Sequence, residues 1–256
     1  MMTATNVIPL PTRRDEAWRY ADLDALARVW GDVPQGPERI TVAAGETLTK
    51  QIVLPVVMSG VSITDLDVVI EAGATFALHL LATDADYGRM SVNVLLHEGA
   101  HFEMGGAILG NGDQTLEIVT QVNHAHPNAT SNQVVRSVLA GHATGSFLGK
   151  VAVARHAQKT DASQSVKAML LDRTATANAK PELEIYADDV KCAHGATVGE
   201  LDKAALFYMA ARGIPPQLAR KLMLQAFIAD AFVSLNDDAA REAIETRALA
   251  ALEGLV

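Results

Sequence analysis

The sequence predicts a mainly β chain built as a solenoid, with a short helix in front of it and a helical segment behind. Three observations carry this expectation. Short strand-like runs fill the chain from Ile40 to about Tyr186, a glycine turn recurs through them, and helical spacing of apolar residues is confined to the two ends. The turn echoes as Ala44-Gly45-Glu46, Glu71-Ala72-Gly73-Ala74-Thr75-Phe76 and Glu98-Gly99-Ala100-His101-Phe102, with the glycines 28 and 26 residues apart. Stacked coils produce such a period because each coil buries its inner face only against its neighbours. A β-sandwich offers similar short strands and stands as the alternative at this level.

From the N-terminus, residues 1 to about 12 read as a loose tail containing Pro9 and Pro11. Ala17, Trp18, Leu23, Leu26, Ala27 and Trp30 then fall at roughly helical spacing, which predicts one short amphipathic helix over 14–30. Gly31 to Pro37, with two glycines and two prolines, marks the boundary to a different architecture. The expected segments are therefore a tail and helix over 1–37, a β core over 38–199 and a helical segment over 200–256. Within the core, Ile63/Leu66/Val68/Ile70, Phe76/Leu78/Leu80, Val92/Val94/Leu96, Leu116/Ile118, Val134/Val138 and Phe147 through Val153 supply the strands.

After Gly199 the period lengthens. Leu201 to Ala211 reads as a helix closed by Gly213, and Pro215-Pro216 opens a second helix reaching Leu235. Asn236 is the expected N-cap of a third helix, Asp237 to about Leu252. The second helix is apolar on more than one face, with Leu218, Leu222 and Phe227 among the surplus, which marks it as a surface for a protein partner or for packing within the chain.

Composition narrows the function. Net charge is −9 over 256 residues, and no basic cluster exceeds Arg13-Arg14, which argues against nucleic acid or an anionic membrane as partner. Charges in the first thirty residues and the lack of any long uncharged apolar run lead to the expectation of a soluble, cytoplasmic protein. No phosphate-binding glycine loop is present, so any ATP must be handled by another chain.

Two constellations carry ligand chemistry. Cys192 and His194, at i and i+2, share one face of an extended strand, where thiolate and imidazole suit a soft or borderline metal; Asp188 and Asp189 stand just upstream. Cys192 is the single cysteine, so no disulfide or four-cysteine site forms within one chain. A buried thiol beside a hydrogen-bonded histidine is the plain alternative. His124 and His126 repeat the i, i+2 pattern and raise a cupin-like metal-dependent enzyme as a rival, although no Asp or Glu follows in Pro127 to Gln133. His79, His97, His101, His142 and His156 are scattered singly and read as surface or satisfied polar residues.

Several words of the chain resemble the SufB/SufD family of iron–sulfur cluster assembly scaffolds. They are Phe147-Leu148-Gly149-Lys150, Ala157 to Ala162, Pro181-Glu182-Leu183-Glu184-Ile185, Asp188 to Gly199, Leu206-Phe207-Tyr208 and Arg212-Gly213-Ile214, with Arg13 to Tyr20 similar to an N-terminal family element. The resemblance implies a right-handed parallel β-helix flanked by helices and no catalytic step of the chain's own. It implies pairing with a SufB-like scaffold through the β-helices, docking of a SufC-like ATPase on the C-terminal helices, and a homodimer when the chain is alone. It further implies that His194, with Cys192 as co-ligand and Asp189 as helper, lies at the interface with SufB as an iron ligand or relay. No cofactor is then held tightly by the isolated chain, and iron or a cluster passes transiently through the interface. One cysteine suits the SufD side of the family, since a SufB-type scaffold needs further thiolates.

Overall fold

The computed structural model describes residues 9–33, 36–54 and 60–255. Most of the loose tail and part of the Gly31–Pro37 boundary expected from sequence lie outside them. Among the described residues, twelve strands follow one another in the middle of the chain. They are β1 (Glu38–Val42), β2 (Thr47–Val53), β3 (Val61–Ile70), β4 (Thr75–Ala82), β5 (Tyr87–Leu96) and β6 (His101–Gly110). The series continues with β7 (Thr115–His124), β8 (Thr130–Leu139), β9 (Thr144–Val153), β10 (Asp161–Leu170), β11 (Thr176–Ile185) and β12 (Lys191–Gly199). Odd strands form one six-stranded sheet and even strands another, each in the order of the chain. Every pairing is parallel. This is the parallel solenoid the repeat predicts, and it removes the sandwich alternative.

Register explains why the interior is so regular. Val68, Val94, Val122 and Val151 stand directly over one another in the odd sheet, and Phe76 over Phe102 in the even sheet, their rings stacked 6.1 Å apart. Alternation sends these residues inward, where they are 1% exposed or less, so each coil is capped by an identical or similar side chain from the next.

The turns that lead from each odd strand to the next even strand are stacked as well. Gly45, Gly73 and Gly99 hold φ of 72°, 66° and 64°, and Asn128 and Lys159 adopt the same left-handed conformation at 64° and 65°. The amide N–H of each donates to the carbonyl one coil on: Gly45 to Ala72, Gly73 to Glu98, Gly99 to Pro127, Asn128 to Gln158 and Lys159 to Asp189, at 2.7 to 3.1 Å. The glycine echo thus continues two coils further than glycine itself.

Each sheet has an outer cover. The predicted single N-terminal helix is instead a 3₁₀ turn, Glu16–Trp18, followed by α1 (Leu23–Val29). Asp22 caps α1 by accepting from the Ala25 amide at 2.9 Å, which starts a fresh helix in mid-pattern. The break lets the Trp18 ring lie 3.9 Å over the Arg89 guanidinium. Beneath it Glu117 accepts from Arg89 at 3.0 Å and from Tyr87 at 2.9 Å, all three fully enclosed.

The even sheet is covered by α3 (Pro216–Ala229) and α4 (Asp238–Glu253), reached through α2 (Lys203–Ala211). Leu81, Ala107, Leu109 and Val138, which face outward, pack with Leu224, Ile228, Phe232, Ile244 and Leu252. A Cβ on Gly105 would meet the Ala231 carbonyl oxygen at 1.8 Å, so the chain lies directly on the sheet there. The second helix ends at Ala229, short of the expected Leu235. Asp230 turns back to bind Arg136 at 2.8 Å and Ser234 meets His79 Nε2 at 3.1 Å, pinning the segment in a bend. Asp237, not Asn236, caps the last helix by accepting from the Ala240 amide.

Candidate interfacial site at the open end

Nothing among the described residues pairs with the far side of β11 or β12. The inward positions of this last coil therefore lose the neighbour that every earlier coil has. Cys192 pairs in register with Ala162 and packs against the interior cluster, half-buried. His194 pairs with Gln164 on the same inward face yet is exposed, and Val198, two inward positions further, is 50% exposed. The strand expected from the i, i+2 reading is present, and alternation puts Cys192 and His194 on the same face of it.

Below His194 runs a polar column. Gln133 pairs with Gln164 and Gln164 with His194 in successive coils. Gln133 Oε1 accepts from the Thr120 hydroxyl at 2.7 Å, but its Nε2 and both amide atoms of Gln164 have no partner although the residues are almost fully enclosed. An unpartnered buried polar atom costs about 1–3 kcal/mol, so these amides do not serve stability. Gly149 makes room for them: a Cβ there would come 2.4 Å from the Phe147 ring and 2.7 Å from Gln164 Nε2. A shallow hollow of about 340 Å³ over β10 and β12 is lined by Gln164, Lys167, His194 and Thr197 among others.

Burial is the main influence on Cys192 and pushes its thiol above the usual range; a backbone hydrogen bond from Ala162 opposes this and the nearby Asp161 carboxylate adds to it. The resting group is a thiol, and a metal or a cation would have to displace its proton. Asp189 is not brought to the imidazole. Its carboxylate is paired with Lys159 and its amide N–H donates to Gln158 Oε1 at 2.9 Å, so it is part of the stacked turn row. The helper role expected for Asp189 finds no contact with His194 among the described residues.

The rival constellation comes apart. His124 ends β7 facing inward between Leu96 and Val153 of neighbouring coils, with Nε2 on the Ser131 hydroxyl at 2.9 Å. Burial lowers its pKa to about 4, leaving it neutral. His126 lies two residues on, in the turn outside the barrel of coils, against His97 at 4.8 Å between ring centroids. A strand that ends between them separates their faces, and the cupin-like pair does not form.

On the helical segment, Leu218 and Leu222 are 46% and 42% exposed as expected, but Phe227 is half-buried in the packing with α4. Sequence reasoning overlooked α2 as a surface. It buries no residue, and its Phe207 and Tyr208 are among the most exposed apolar side chains described. Adjacent aromatics on a helix with apolar residues all round were the available signal.

Comparison with known proteins places this geometry. Residues 58–227 match the family described as SUF system FeS cluster assembly, SufBD core domain. The iron–sulfur cluster assembly protein SufD of Escherichia coli is 36% identical over 53% of this chain and 32% of its own length. The SufD of Bacillus subtilis is 30% identical over 58% of this chain and 34% of its own, and the chloroplastic protein ABCI7 of Arabidopsis thaliana 37% over 61% and 34%. The chain thus matches about a third of the length of these relatives. With the core match covering β3 to β12, the open end, α2 and most of α3, the chain belongs to the SufBD family of iron–sulfur cluster assembly proteins.

Proposed function

We propose that this chain is a SufD-type scaffold subunit whose open solenoid end is completed by a second solenoid of SufB type. The observation that carries the reading is the inward column Gln133–Gln164–His194, which reaches an uncovered coil with its amides unpartnered. One cysteine and one histidine are too few ligands to hold a cluster, so Cys192 and His194 make up half of a site whose cargo is iron or a nascent cluster. The other ligands come from the partner, and the protein takes part in cluster assembly or the admission of iron without making a bond itself. In the partner's absence two copies of this chain pair through the same end.

The helical segment supplies the second contact. Phe207, Tyr208, Leu218 and Leu222 form apolar surface left uncovered among the described residues, and it suits a SufC-type ATPase whose cycle then acts on the solenoid end. No described helix is long and apolar enough to cross a membrane, and the reading places the assembly in the cytoplasm.

The test is co-expression with SufB and SufC partners followed by purification through one tagged subunit. Phe207→Glu with Leu222→Glu should remove the ATPase and keep the SufB-type partner. Val198→Lys should remove the SufB-type partner, and His194→Ala should leave the complex intact while abolishing cluster delivery in cells that depend on it. A wild-type chain that captures neither subunit, or delivery unchanged by His194→Ala, would overturn the reading.

A further inference from the structure

Three histidines that play no part at the open end meet on one edge of the solenoid. His97, His126 and His156 stand on successive coils at the row of left-handed turns, two or three residues ahead of Gly99, Asn128 and Lys159. The His97 and His126 rings are 4.8 Å apart and 20° from parallel, and His156 meets His126 edge-on at 6.2 Å. Parallel strands repeat about every 4.8 Å, so the backbone itself sets this spacing. Glu71, on the preceding coil, holds a carboxylate oxygen 3.7 Å from His97 Nδ1.

The nitrogens of this ladder are open to a ligand. His97 is 32% and Glu71 40% exposed, His126 is half-buried and His156 exposed. Among the described residues neither the His126 nor the His156 ring makes a hydrogen bond, so their lone pairs are not committed. In their resting rotamers the side chains do not converge on a point, and no group of three His, Cys, Asp or Glu among the described residues does. Surface side chains change rotamer within nanoseconds, and two imidazoles on one ion need their nitrogens only roughly 3 Å apart. Neighbouring rings at this separation reach that geometry by swinging edge-on, with no movement of the backbone.

We propose that the His97–His126–His156 ladder binds a borderline transition-metal dication of the zinc, cobalt or iron(II) class. His126 is the central ligand, His97 and His156 complete the set from either side, and Glu71 orients the His97 ring through its second nitrogen, as carboxylates do behind metal-bound histidines. Imidazole donors favour such ions over calcium or magnesium, which take oxygen. The inference stands whether or not the open end pairs with another chain. The ladder lies on the turn row that carries Asp189 at its last coil, and so outside the interior column that leads to His194.

The experiment uses the whole chain, made without a histidine tag and stripped with chelator. Zinc is titrated in by calorimetry, and cobalt by its visible absorption, which reports imidazole coordination directly. One ion should bind per chain. His126→Gln, which keeps a polar side chain at the turn, should weaken binding at least tenfold, and Glu71→Gln by a smaller factor. A Cys192→Ser/His194→Ala double variant should bind as the wild type does, which separates this ladder from the open end. Circular dichroism confirms that each variant is folded. Saturable binding that survives His126→Gln, binding lost in the Cys192/His194 variant, or no saturation with either metal would overturn the proposal.

Discussion

The flank of the even sheet and the end of the solenoid expose apolar residues in opposite ways. On the flank, Leu81, Leu109 and Val138 point outward, against the rule for a soluble surface, and the chain covers them itself with α3 and α4. At the end, Ile185 and Val198 belong to strands that run to the open last coil, and nothing among the described residues covers them. Exposure on this molecule is thus informative where it departs from the alternation of inward and outward positions. A covered outward residue reports packing within the chain, and an uncovered inward residue marks the coil at which the stack of described strands stops.

Breaking the covered flank should cost most. Phe232→Ala removes a fully enclosed ring between the helices and the sheet and should lower unfolding stability by about 3–5 kcal/mol in urea titrations. Next is the enclosed interior of the solenoid, read through His124. The unfolded chain takes up the His124 proton near pH 6.5 and the folded chain only near 4. Between these values the unfolded state binds more protons, so stability should fall by about 3 kcal/mol as pH drops through that window. His124→Gln should flatten this part of the profile. A smaller loss, about 1–3 kcal/mol, is expected for Gly149→Ala, whose methyl would collide with the Phe147 ring. The least effect belongs to the open end: Val198→Ser should change the stability of the isolated chain by no more than about 0.5 kcal/mol while weakening capture of a partner. If Val198→Ser proved as damaging as Phe232→Ala, the end would be a closed part of the core and the contrast would fail.

The solenoid was legible because its period is carried by residues with a physical reason to recur. Gly45, Gly73 and Gly99 need a left-handed turn, and that need is visible in one sequence. The signal fades at Asn128 and Lys159, which take the same conformation at a conformational cost of about 1–2 kcal/mol and look like any loop residue. The Cys192–His194 face was legible for the same reason, since alternation fixes it once the strand is placed. What alternation does not fix is where a strand stops, so His124 and His126 looked alike although one is interior and the other on a turn. Contacts between distant segments left no local trace either. Asp189 bound by Lys159, Trp18 on Arg89 and Asp230 on Arg136 depend on register and on the path of the covers.

The free edge of β12 bears on how such a protein is kept in solution. From Cys192 to Gly199 the strand carries no Asp, Glu, Lys or Arg, and among the described residues no strand pairs with its outer side. Natural sheets guard such edges with charge, proline or a bulge because any other extended chain can add to them. Here the guard is limited to Lys191 at the start of the strand. Any extended segment that meets this edge can add to it, so the isolated protein should clump more readily as its concentration rises.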